Sequence, residues 1–176
     1  MNQFINPTRN WVRSVIIGLN FCPFAKREFD RETIRYAVLK GKVEDCLESL
    51  ILECDLLNGD ETVETTLVIL PEGFESFDDF LDFLDLSNDL LHQQGYEGVF
   101  QLASFHPDYC FQGVPKDDPA NFTNRSPFPM LHIIREASLE KAIAFHPDPE
   151  GIPERNIELA RQMGEEKLKK LLAACF

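Results

Sequence analysis

The run from Thr65 to Leu70, Thr-Thr-Leu-Val-Ile-Leu, restricts the fold of this chain more than any other stretch. It is a nearly continuous β-prone apolar segment, and a strand of that kind has to be covered on both faces. A helical pattern precedes it in the chain and another follows. Val43, Leu47, Leu50, Ile51, Cys54 and Leu57 recur at helical spacing, and Asn58-Gly59-Asp60 ends that helix. Phe74 to Gln94 reads as a second helix, with Phe77, Phe80, Leu81, Leu84 and Leu91 as its inward stripe. Its Asp78, Asp79, Asp82, Asp85 and Asp89 imitate a metal site, but their spacing suits a solvated face.

Three further strands are expected. Thr33 to Leu39 alternates, with Ile34, Tyr36 and Val38 on one side and Arg35 on the other; Val99 to Phe105 and Met130 to Ile134 complete the set. Ahead of them, Asn6-Pro7-Thr8 looks like a helix start followed by Trp11, Val12, Val15, Ile16 and Leu19 at helical spacing. That helix should stop near Asn20, because Pro23 pushes Cys22 out of the α region. At the far end, Ser138 to Ala144 reads as a short helix capped by Ser138, and Ile152 to Cys175 as an amphipathic one with Gly164 as its candidate break. The expected class is α/β, with α+β as the alternative: a single-domain sandwich whose small sheet, about four-stranded and mixed or largely parallel, carries flanking helices. The alternation of strands and helices argues for parallel crossovers. In such sheets ligands sit beyond the carboxyl ends of the strands, where Phe105 would deliver His106 and Leu70 would deliver Pro71-Glu72-Gly73.

The 176 residues suit one domain with a sizeable core. No apolar run approaches the roughly 20 residues that span a bilayer, and the short run from Val15 to Leu19 has no cleavage site after it, which points to a cytoplasmic protein. A formal charge of −13 repels phosphate backbones and anionic lipid, so neither nucleic acid nor membrane is the expected partner. The 5 cysteines form no CxxC pair and no disulfide framework is expected. Cys46, Cys54 and Cys175 fit core or tail positions, whereas Cys22 and Cys110 sit in irregular polar surroundings.

Chemistry-bearing residues concentrate between Ser104 and Glu136, a long polar stretch anchored by Phe105, Tyr109, Phe111, Phe122 and Phe128. Loops of this length inside a compact domain are usually functional or disordered, and the aromatic anchors argue for order. His106 is the candidate general acid or base, since imidazole titrates near physiological pH. Cys22 or Cys110 is the candidate thiol nucleophile. Arg35, Arg125 and Arg135 would hold an anion through their guanidinium forks, with Asp108 as a counter-charge and Asn121, Asn124 and Ser126 orienting the ligand. Asn and Ser also satisfy turn backbone, which is the competing structural role. A transition metal on Cys22, His106, Cys110 or His132 is a third reading, although the spacing matches no standard zinc pattern. No phosphate-binding glycine loop, GxSxG elbow or HExxH occurs, and nothing in the pattern names a cofactor.

Two resemblances bear on this. Cys22-Pro23-Phe24-Ala25 is similar to the active-site turn of glutaredoxin-like and omega-class glutathione transferase proteins, where the motif follows a first strand and opens a helix. Here the preceding segment looks helical, with Ser14 to Asn20 as an alternative strand. Over most of its length the chain resembles an uncharacterised bacterial family, domain of unknown function 1415. The matching stretches are Ile17 to Ala25, Ile34-Arg35-Tyr36, Phe105-His106-Pro107, and Asn124-Arg125-Ser126-Pro127 leading to Leu131-His132 and Arg135-Glu136. The resemblance implies no activity; it falls on Cys22, Arg35, His106, Asn124, Arg125 and Arg135. The leading expectation is an enzyme-like pocket for a small anionic metabolite, and the alternative is a non-catalytic module that docks a protein partner.

Overall fold

The computed structural model describes residues 2–176. Its centre is one mixed sheet of β1 (Ile34–Val38), β2 (Thr65–Ile69), β3 (Phe100–Phe105) and β4 (Met130–Arg135), in the order β1-β2-β4-β3. Every residue of β2 is buried, as its unbroken apolar run requires. Only β1 and β2 are parallel; β4 runs antiparallel to both of its neighbours. Of the two arrangements expected, mixed or largely parallel, the sheet is the mixed one. The reason is local: β3 and β4 form a wide hairpin whose long connection carries no crossover helix.

The helices are α1 (Asn2–Trp11), α2 (Ala25–Asp30), α3 (Val43–Gly59), α4 (Phe77–Gln93), α5 (Glu136–Phe145), α6 (Ile152–Met163) and α7 (Glu165–Ala173). They sort into two layers. Leu50, Cys54 and Leu57 of α3 and Phe80 and Phe83 of α4 pack with Val68, Leu131 and Ile133 on one face. Trp11 and Val12, with Ala160 of α6 and Leu168 of α7, pack with Leu67, Ile69 and Met130 on the other. Strand alternation assigns the faces: Leu67 and Ile69 look one way, Val68 the other. The two buried halves explain why one strand had to be apolar throughout.

Several boundaries move for identifiable reasons. Helix α1 begins at Asn2, ahead of Pro7, and Phe4 stacks edge-on with Phe128 at 5.3 Å. Past Trp11 the helix widens, with Gly18 N–H donating to the Arg13 carbonyl and Phe21 N–H to that of Ile16, five residues back. A Cβ at Gly18 would lie 2.3 Å from the Ser14 carbonyl oxygen, so the widened turn needs glycine there. Helix α4 starts at Phe77 rather than Phe74, since Ser76 caps it by accepting from Asp79 N–H at 3.3 Å. Helix α5 starts two residues before the expected Ser138 cap. The C-terminal helix breaks at Gly164, whose φ of +79° favours glycine.

The acidic residues are unevenly placed. Glu44, Asp45, Glu48, Glu53 and Asp55 lie on α3 and the five aspartates on α4, and neither helix carries a lysine or arginine. Among the described residues, 4 of the 8 exposed large hydrophobic side chains also belong to these two helices: Val43, Leu52, Leu81 and Leu86.

Candidate functional site

The carboxyl ends of β1, β2 and β3 and the amino end of β4 form one edge, because Val38 pairs with Ile69, Ile69 with Met130, and Met130 with Phe105. The loop 106–129 leaves from that edge, so His106 does meet the turn that follows β2. Its ring is 1% exposed. Nε2 lies 2.9 Å from the Phe74 carbonyl, which can only accept, so Nε2 carries the proton. Nδ1 accepts from Asp108 N–H at 3.0 Å. The imidazole is wedged against Phe77 and Phe80, each at 5.2 Å between centroids. Burial pushes its pKa down, against smaller opposing effects of the Phe74 carbonyl and Asp108. A neutral ring with both nitrogens engaged offers neither a proton nor a lone pair to a ligand, so the acid–base role assigned to His106 is replaced by a structural one.

The other polar residues of the loop are committed in the same way. Asn121, fully buried, accepts from Phe111 N–H at 3.0 Å and donates to the Pro115 carbonyl at 2.8 Å. Asn124 donates to the Ser104 carbonyl at 3.1 Å, while its own carbonyl accepts from His106 N–H at 3.2 Å. Ser126 donates to the Phe128 carbonyl at 2.6 Å. Arg125 lies 4.4 Å over the Phe122 ring and donates to the carbonyls of Tyr109 at 3.2 Å and Lys116 at 2.7 Å. Trp11 closes the frame from α1, its Nε1–H reaching the Arg125 carbonyl at 3.0 Å. Asp108 contributes its backbone amide, and its side chain is no counter-charge to Arg125 among the described ion pairs. A loop that runs over a surface must satisfy its own backbone, and here the side chains do so.

The three arginines do not converge. Arg35 donates two parallel hydrogen bonds, at 2.6 and 2.9 Å, to Glu53 of α3, and that carboxylate holds its pKa up. Arg135 points its Nη2 at the carbonyls of Asp60 at 3.1 Å and Val63 at 3.0 Å, and also at that of Leu57. It thereby closes the carboxyl end of α3, where unpaired carbonyls attract a cation. Arg35 and Arg135 belong to the α3 side of the sheet, whereas Arg125 belongs to the loop. The expected three-arginine anion site is therefore not assembled.

The thiols are equally unprepared. Cys110 points its sulfur at the Val114 carbonyl, 3.3 Å away. Cys22 follows the widened helix and precedes the six-residue α2, so the strand that should come before a glutaredoxin-like turn is absent at this position. Burial pushes the Cys22 thiol up, against the opposing pull of the Phe24 and Ala25 amides; a thiol nucleophile needs the reverse. His132, on the central β4, donates from Nε2 to Thr65 Oγ1 at 2.6 Å, because that hydroxyl gives its proton to the Ile133 carbonyl. Burial lowers the His132 pKa to about 4. Among the described residues no group of three or more His, Cys, Asp or Glu side chains could hold a metal ion.

Residues that the sequence reading passed over do much of the positioning. Phe74 receives His106, Glu53 receives Arg35, and Asp118 receives Arg161 of α6 through contacts of 2.9 and 3.1 Å. Only Asp118 had a sequence signal, as the Asp of an Asp-Pro pair opening a turn at Pro119–Thr123. Two shallow concavities are lined by helix residues alone, the first beside the loop because its Arg161 pairs with Asp118. One is a shallow depression on α6 around Ile157, Arg161 and Gln162. The other is a groove between α3 and α4, floored by Leu47, Ile51, Leu52 and Leu90 and edged by Glu44, Glu48 and Gln94. Leu86 and Leu90, apolar positions off the inward stripe of α4, were the available sign of it.

A helix-flanked mixed sheet whose long β3–β4 loop braces itself defines the class of this chain: α/β. The chain belongs to the DUF1415 family, whose members are described as proteins of unknown function; the family model matches residues 3–170. No curated protein and no solved structure matches it.

Proposed function

We propose that the protein is a non-catalytic interaction module that docks a protein partner on the outer face of α3 and α4. The observation that carries this is the groove between them, in which Leu52 is 61% exposed beside Leu47, Ile51 and Leu90. Contiguous exposed apolar side chains edged by polar ones are the ordinary mark of such a surface. The aromatic anchors of the loop do not offer such a surface, since Phe122 is only 4% exposed and Phe128 packs between Phe4 and Phe176. An anion pocket in the loop finds no support in donors already engaged with carbonyls. The five free cysteines suit a reducing, cytoplasmic setting, here taken as bacterial.

Surface-display selection of peptides on the folded protein tests the proposal, with Leu52→Asp as the counter-target. Leu52 is exposed enough for the variant to fold normally. Binders recovered on the parent protein and lost on the variant are the expected result. Recovery of none, or of binders indifferent to Leu52, refutes the proposal. A rise in melting temperature with phosphorylated or carboxylated metabolites that Arg125→Ala abolishes would reinstate the anion pocket instead.

A further inference from the structure

Resting on that docking reading, we infer that the occupant of the α3–α4 groove is a basic amphipathic helical segment of another protein. The groove has the shape of a helix seat. Leu47 and Ile51, one turn apart on α3, and Leu90 on α4 line its two sides as apolar ridges, and Val43 stands one turn before Leu47. Leu52 stands beside the first ridge, and Glu44 and Glu48 flank it. A helix laid between two such ridges presents its own apolar side chains at i, i+3 and i+4.

Charge decides which helix. Helices α3 and α4 contribute five acidic residues each and no lysine or arginine. Arg35 pairs with Glu53, and the charged residues that line the groove itself are Glu44 and Glu48, with Lys42 at the start of α3 as the nearest lysine in sequence. A second copy of this chain would bring the same acidic rows together within a molecule of net charge −13, and like-charge juxtaposition is costly at an interface. Anionic lipid and nucleic acid are repelled by the same field. A segment with leucine-like residues on one side and lysine or arginine along both flanks satisfies ridge and rim together, and the field would speed its arrival.

The test uses synthetic peptides of about 14 residues, roughly four helical turns, followed by fluorescence anisotropy on the full chain. One peptide is Leu/Lys in amphipathic order, one has the same composition scrambled, and one replaces Lys by Gln. The ordered Leu/Lys peptide should bind at least about tenfold more tightly than either control, and less tightly as salt rises. Leu52→Asp should abolish that binding. Since this substitution adds a negative charge, a peptide held by charge alone would bind it more tightly, which would overturn the inference. Glu44→Gln with Glu48→Gln should weaken binding about fivefold while leaving the apolar ridges intact. Equal binding of the Gln peptide, or no effect of the double substitution, overturns the basic partner. Display selection then separates the two failures. Groove-dependent binders of neutral or acidic sequence leave the docking surface standing, and the absence of any groove-dependent binder removes both.

Discussion

Replacing His106 by alanine separates a catalytic residue from a framework residue in one experiment. The ring is buried between Phe77 and Phe80, and its Nε2–H supplies the hydrogen bond to the Phe74 carbonyl, a residue 2% exposed. Stranding a buried acceptor costs about 1–3 kcal/mol. Truncating a buried ring leaves a cavity worth about 2–3 kcal/mol more, somewhat less than a buried phenylalanine would lose. The Asp108 amide adds little, because Asp108 is exposed and water can replace Nδ1. The total is about 3–6 kcal/mol, a large part of the 5–15 kcal/mol that holds a typical domain together.

Urea unfolding above neutral pH, followed by circular dichroism, reads that loss directly. With a slope of about 2 kcal/mol per molar, the midpoint should fall by about 2 M. Two further variants sharpen the test. His106→Gln can still donate toward Phe74, and His106→Asn can still accept from the Asp108 amide as asparagine does in turns. Glutamine should recover more stability than asparagine, because the Phe74 bond lies in the dry interior and the Asp108 bond does not. An alanine variant within about 0.5 kcal/mol of the parent would refute the framework role and return His106 to the list of reactive groups.

Other substitutions probe the same physics elsewhere. Thr66 Oγ1 and Tyr36 Oη are buried without a hydrogen-bond partner, so Thr66→Val and Tyr36→Phe should each leave stability unchanged or raise it by about 1 kcal/mol; a clear loss in urea would reveal a partner. Gly18→Ala should lower the melting temperature, by a destabilisation of about 1–3 kcal/mol, since its Cβ meets backbone 2.3 Å away; an unchanged midpoint would mean that the widened turn can relax. The pH dependence has a definite sign. Burial depresses His132 in the folded state to about 4, so the unfolded chain binds its proton first and stability falls as pH drops from about 6.5 toward 4, then levels. The drop should be about 2 kcal/mol after allowing for the half-buried position of the ring, and His132→Gln, which keeps a donor for Thr65, should shrink it, leaving the part of the same sign that comes from buried His106.

The architecture was largely legible because its signals are local and redundant. The two-sided burial of Thr65 to Leu70 follows from composition alone, and most of the α3 and α4 stripes follow from helical period, although Val43 and Leu81, expected inward, are exposed and Phe83 is buried instead. Strand direction was not legible, because it depends on how the chain travels between β3 and β4. A crossover helix would have made the pair parallel; the loop of 106–129, with only the Pro119–Thr123 turn in it, returns the chain antiparallel. Capping residues such as Ser76 moved helix starts by a few residues, the usual error of a periodicity argument.

The candidate site failed for a different physical reason. His106, Asn121, Asn124, Ser126 and Arg125 are the residue types a binding site needs because they donate and accept hydrogen bonds in fixed geometry. A long loop whose only regular element is the Pro119–Thr123 turn needs the same types for the same reason, to satisfy carbonyls and amides that no ladder reaches. Sequence gives the donors and acceptors but not where they point, and here Asn121 points at Phe111 and Pro115, and Arg125 at Tyr109 and Lys116. The surface on α3 and α4 was hidden by the opposite bias. Aspartates on a helix face read as solvation, and it is the exposure of Leu52 beside Leu47, Ile51 and Leu90 that marks an apolar surface there. Polar residues made the frame, and apolar residues left outside the core mark where a partner would bind.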